Sequence, residues 1–208
     1  MEKLIDRTVW FASSLLYVLP AAKCVMLWDG GSGAAKVGAI LPPLLLPPLL
    51  ASLSLWLTGK FQHKIVIDGS GTPALRKAIL LTLALFIYIS AVILFVPPDA
   101  KLHMACIVCG IGVFMVLLGA LMPKLPRNRL IGARYSWTVA DPGVWKKSNA
   151  VGGVYTALLG TLLIVSGAIP QPRSPFTAIE IGAVILYVAT LTLHSRLIAL
   201  KAGIGRPE

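Results

Sequence analysis

NRLIGARYSWTVADPGVWKKSN, from Asn128 to Asn149, holds two Trp, one Tyr, two Arg, two Lys and an Asp-Pro pair. Runs of Leu, Ile, Val, Ala and Gly flank it on both sides. If those runs cross lipid, this stretch is a polar loop at a membrane surface. If they do not, it is a connection inside a soluble core. Composition decides between the two. Of 208 residues, 57% are hydrophobic and 13% charged, against about 25% charged in a soluble domain. Mean hydropathy is +0.83. Lipid is therefore the expected solvent.

A membrane-crossing helix needs about 20 apolar residues. Runs of that size fall near 8–28, 37–57, 74–96, 103–122, 151–169 and 176–198. The expected fold is an all-α integral membrane protein, a bundle of six transmembrane helices in a single domain over 1–208. Its longest loop is 123–150. Residues Glu2, Asp6 and Lys23 argue against a cleaved signal peptide, so the first run reads as a span.

Orientation follows from Lys and Arg, which collect in cytoplasmic loops. With both termini cytoplasmic, fifteen of the 19 basic residues lie inside. Only Lys23, Lys36, Lys101 and Arg173 lie outside. The net charge of +11 is then a topology signal, and no direct nucleic-acid binding is expected. The opening stretch falls on the cytoplasmic face.

Within it, Asp141-Pro142 is a helix start. Asp accepts bonds from free N–H groups, and Pro suits the first helical position. The helix is expected to run from Pro142 into the fifth span. That places Trp145 at headgroup depth, with Lys146 and Lys147 facing anionic lipid. Trp137 reads as a second interfacial anchor. Gly132 permits a turn, and the Arg134 guanidinium suits carboxylate, phosphate or a set of carbonyls. The plain alternative is an ordinary aromatic belt with a basic loop.

The order Asn128, Gly132, Arg134, Trp137, Thr138, Trp145, Lys146, Gly152 goes further. It resembles the loop of the SdpI-like family, whose pattern is roughly N-x-x-x-G-x-R-T-P-W-T, then W-x-K-T-H-x-x-G. Here the chain has NRLIGARYSWT, then WKKSNAVG. Tyr135-Ser136 stand where the pattern has Thr-Pro, and Ser148-Asn149 where it has Thr-His. Between the first two spans, WDGGSGAAK replaces a longer loop with Pro and His. The resemblance implies a bacterial inner-membrane protein that protects its producer from a membrane-active peptide toxin. It also implies capture of a soluble transcriptional repressor at the membrane. It implies that Arg134, Trp137 and Trp145 form the structural centre of the loop.

Other features carry a second reading. Pro42, Pro43, Pro47 and Pro48 interrupt the second span. Each removes an N–H and clashes with the preceding turn. Such breaks line cavities in transporters or are kinks covered by neighbours. Glu180 and Lys23 lie near the outer ends of their spans, where a charge is costly and usually paired. A Lys23–Glu180 pair would suit a small transporter or channel. Alternatively Lys23 snorkels and Glu180 stabilises a helix start. Cys106, Cys109 and His103 put three ligand types on one span, but zinc prefers four ligands and close packing is the plainer role. No metal or cofactor is expected. Gly153, Ala157, Gly160 and Gly167 form a stripe on the fifth span that lets another helix approach closely. Catalysis finds no support: H-E-x-x-H, G-x-S-x-G and paired intramembrane carboxylates are all missing from the sequence.

Overall fold

The computed structural model describes residues 64–68, 72–97, 101–169 and 173–204, with scattered positions between 7 and 60. The expected first and second spans, Lys23 and the four prolines of the second span lie almost wholly outside the described residues.

Helix α1 is Thr72–Phe95, α2 Lys101–Leu121, α3 Ser136–Ala140, α4 Pro142–Ala168 and α5 Arg173–Lys201. A 3-10 turn, Met122–Lys124, follows α2. Four segments are long and apolar enough to cross a membrane: Pro73–Phe95, Leu102–Lys124, Pro142–Ala168 and Ala178–Lys201. These correspond to the third to sixth expected spans. As the Asp-Pro pair predicts, α4 begins at Pro142, well before its apolar run. The Asp141 carboxylate accepts the Val144 N–H, satisfying one of the free donors that every helix start leaves.

In lipid, burying Leu gains little, because lipid tails are as apolar as Leu. Close packing and hydrogen bonds must hold the helices together. The tightest pair is α2 with α4, joined through glycines seven residues apart. A Cβ on Gly119 would come within 2.5 Å of the Gly153 carbonyl, and one on Gly112 within 2.6 Å of the Gly160 carbonyl. A Cβ on Gly167 would meet the Cys109 Sγ at 2.7 Å. The small-residue stripe of the fifth span is thus covered by the fourth span of the same chain.

Polar contacts supply the rest. The Tyr88 hydroxyl of α1 donates to the Cys106 carbonyl at 2.8 Å, with its ring against Gly110. Between α4 and α5, Thr156 Oγ1 lies 3.0 Å from the Tyr187 hydroxyl, and the Tyr155 hydroxyl 2.9 Å from His194 Nδ1. Toward the other end, Ser166 donates to the Glu180 carboxylate. Glu180 therefore has a partner on α4, whereas the expected partner Lys23 lies outside the described residues. His103 lies 3.0 Å from the Val96 carbonyl, and the Cys109 thiol contacts the Ile164 carbonyl at 3.6 Å. Among the described residues no group of three metal-ligating side chains comes together.

At the loop end, Leu75, Ala78, Ile79 and Leu83 of α1 pack with Val9, Leu55, Met122 and Leu125. This cluster forms the floor beneath the loop.

Candidate functional site

The loop of 125–141 is a folded unit organised around buried polar side chains. Asn128 is fully buried. Its Oδ1 accepts the N–H groups of Leu130 and Ile131, both at 2.8 Å. Its Nδ2 donates to the carbonyls of Pro126 at 2.8 Å and Ile131 at 3.1 Å. Both donors and both lone-pair directions of the amide are used. Such a side chain fixes a turn, because it replaces the backbone partners that the turn forfeits.

Gly132 follows with φ of 117°, a conformation that side chains resist. Space requires glycine as well: a Cβ there would meet Asn149 Oδ1 at 2.5 Å and the Trp145 ring at 3.2 Å. The chain therefore passes directly over Trp145 and Asn149 of α4. Asn149 Oδ1 accepts the Ala133 N–H at 3.1 Å, and its Nδ2 donates to the Trp145 carbonyl at 3.0 Å. Thr138, also buried, accepts the Tyr135 N–H at 3.0 Å and has the Ala133 and Tyr135 carbonyls within donating reach.

Three sequence-based expectations change. Trp145 was expected at headgroup depth, but it is 3% exposed, and its indole N–H donates to the Leu125 carbonyl at 2.9 Å. It pins the loop onto α4 and is no lipid anchor; Gly132 and Asn149 enclose it. Trp137 was expected to anchor in the interface. Instead it is half-buried against α5, stacked on Tyr135 with ring centroids 4.9 Å apart. Its N–H donates to Ser195 Oγ at 3.2 Å, and the Arg196 guanidinium lies 5.2 Å from its ring centre. The Tyr135 hydroxyl lies 2.7 Å from Thr192 Oγ1. The two rings clamp α3 to α5. Third, Arg134 was expected at the centre of the loop. It is exposed and donates to the Arg129 carbonyl at 2.6 Å, at the rim.

The guanidinium inside the fold belongs to Arg127. Its Nη2 lies 2.7 Å from Asp68 Oδ1, and its Nε 2.9 Å from Oδ2, a two-point ion pair. Its Nη1 donates to the Val139 and Ala140 carbonyls at 3.3 and 3.2 Å, at the end of α3. Backbone bonds flank the pair: Ile67 N–H to the Arg127 carbonyl and Arg129 N–H to the Ile65 carbonyl, both 2.9 Å. Hydrogen bonds from Arg127 hold the Asp68 carboxyl below its ordinary range, against the opposing effect of burial. The same bonds raise Arg127 further.

Of the expected site residues, Asn128, Gly132, Thr138 and Trp145 come together in one buried cluster. Trp137 of α3 lies beside it, against α5, and Arg134 and Lys146 are at the exposed rim. Gly152 lies two turns beyond Trp145 along α4, where a Cβ would come within 3.0 Å of Leu191 and Met122. Glu180 sits apart, near the far end of α5. Sequence reading missed Asn149, Tyr135 and Arg127. Asn149, one turn after Trp145 on the buried face of α4, was a readable signal. Arg127 had none, because its partner is 59 residues away.

Four spanning-length apolar helices and a folded loop rich in basic and aromatic residues define a multi-pass bacterial inner-membrane protein. The model of the SdpI/YfhL protein family matches residues 124–195, the loop together with α4 and most of α5. The chain is also 25% identical to the immunity protein SdpI of Bacillus subtilis (strain 168) over 187 residues. That match covers 88% of this chain and 84% of the relative. No solved structure matches. The segment 124–195 is therefore similar to the SdpI/YfhL family, and the chain as a whole to a bacterial immunity protein.

Proposed function

We propose that this protein protects the cell that makes it from a membrane-active peptide toxin. The observation that carries this reading is the likeness to an immunity protein over 88% of the chain, with a family match that takes in the folded loop, α4 and most of α5. The toxin is bound directly, without catalysis, by surfaces within and outside the membrane. The chain crosses six times with both termini cytoplasmic, a reading supported by the fifteen-to-four distribution of basic residues. The loop of 123–150 then faces the cytoplasm.

There it anchors the response to toxin, through Asn128, Gly132, Arg134, Trp137, Thr138, Trp145, Lys146 and Gly152. Arg129, Arg134, Lys146 and Lys147 are exposed. The nearby carboxylates are engaged, Asp68 by Arg127 and Asp141 by the α4 start. Among the described residues these four cations outnumber the Asp141 carboxylate, so the rim carries an excess of positive charge, suited to anionic headgroups and to a docked cytoplasmic repressor.

The test is survival of a toxin-sensitive bacterium expressing the chain, challenged with a sporulation-delaying-type peptide and with any peptide encoded beside its gene. Survival supports immunity. Death at full membrane level against every peptide removes it.

A second reading, a small transporter or channel, draws on Glu180 within a spanning helix and bonded to Ser166. Intramembrane carboxylates often mark solute paths. It predicts that Glu180→Gln changes ion or solute flux in liposomes.

A further inference from the structure

We propose that Arg127 is the positioning residue of the loop and that Asp68 is its lever. Together they couple the segment 64–68, which leads into α1, to the Tyr135–Trp137 clamp on α5. Three sets of contacts carry this. The first is the two-point ion pair, with both short N–O distances on one carboxylate. The second is the remaining nitrogen, Nη1, which holds the last carbonyls of α3. Carbonyls at a helix end have no partner within the helix, so Arg127 fixes where α3 stops. The third is the backbone pairing on either side of Asn128, the next residue, which makes 64–68 move with 127–129. Val139, Ala140 and Trp137 all lie on the single turn of α3. A displacement of Asp68 is thus transmitted through one guanidinium to α3, and through two stacked rings to Thr192 and Ser195.

The consequence for protection rests on the immunity reading; the coupling itself does not. The loop reports the position of the chain between the expected second span and α1. That is how an event at the membrane-embedded part would reach the loop rim.

The experiment uses the full chain in nanodiscs with 5-fluorotryptophan at its five Trp positions. The Trp137 fluorine resonance is assigned with Trp137→Phe. Asp68→Asn removes the charge and keeps the shape. Its expected effect is a shift of the Trp137 resonance beyond its linewidth, although Asp68 touches neither ring. Asp68→Glu, which keeps the carboxylate, restores it toward wild type. An unmoved Trp137 in Asp68→Asn overturns the coupling. If that variant fails to fold, Arg127→Lys, which keeps the charge and loses the two-point fork, is read the same way. The survival assay, run in parallel, separates the two claims. Loss of wild-type protection sinks immunity and leaves a shifted Trp137 standing; an unmoved Trp137 sinks the coupling and leaves protection standing.

Discussion

At the residue scale the loop depends on a few side chains with no substitutes. Asn128 satisfies four backbone groups from full burial. Asn128→Ala leaves those groups unpaired, at a cost of roughly 2–4 kcal/mol, since each lost bond to a buried group costs on the order of 1 kcal/mol. Thermal unfolding in detergent should show a lower midpoint. Gly132→Ala combines left-handed strain with a clash on Asn149, and should cost about 1–3 kcal/mol by the same assay. Asp68 supplies a pH signature. Its folded pKa is depressed, so its contribution is complete above the ordinary value of 3.8 and fades as pH falls through the folded value. The midpoint gap between wild type and Asp68→Asn should therefore be present at pH 7 and close under strong acid. A gap unchanged by acid would show that the ion pair does not stabilise the fold.

At the element scale, the chain is legible wherever one periodic signal suffices. The spans that became α1, α2, α4 and α5 were readable because lipid forces long apolar runs into helices. The α4 start was readable because Asp141-Pro142 acts locally. What was not readable depends on partners distant in sequence. An interfacial Trp and a buried Trp have the same composition signal, and only the Leu125 carbonyl, 20 residues away, distinguishes Trp145. The rank of Arg127 over Arg134 depends likewise on Asp68. The glycine stripe showed that some helix comes close, but not which one. Gly112 and Gly119 on α2 answer that, because the carbonyls on both sides of the contact leave no room for a Cβ. Gly160→Leu should separate α2 from α4 and lower the unfolding midpoint more than Leu158→Ala, which alters an exposed position on the same helix. Equal effects would mean that the close approach contributes little.

At the scale of the whole molecule, the helices form a scaffold that holds a folded loop at one end of the bundle. The loop is fixed to α4 by Trp145 and Asn149, to α5 by Tyr135 and Trp137, and to segment 64–68 by Arg127. Its basic rim, Arg129, Arg134, Lys146 and Lys147, is exposed. The proposed topology makes a direct prediction: Cys placed at Lys147, in a background without native Cys, reacts with a membrane-impermeant maleimide in opened vesicles and not in intact cells. Labelling in intact cells would reverse the orientation and move the rim to the toxin's side. The central claim is that the folded loop is the working part of an immunity protein. The most direct measurement is survival of toxin-challenged cells at matched membrane levels, with wild type, Trp137→Phe and Arg134→Ala side by side. Wild type should protect, Trp137→Phe, which cuts the bond to Ser195, should lose protection, and Arg134→Ala at the rim should lose less. Full protection by both variants would contradict it.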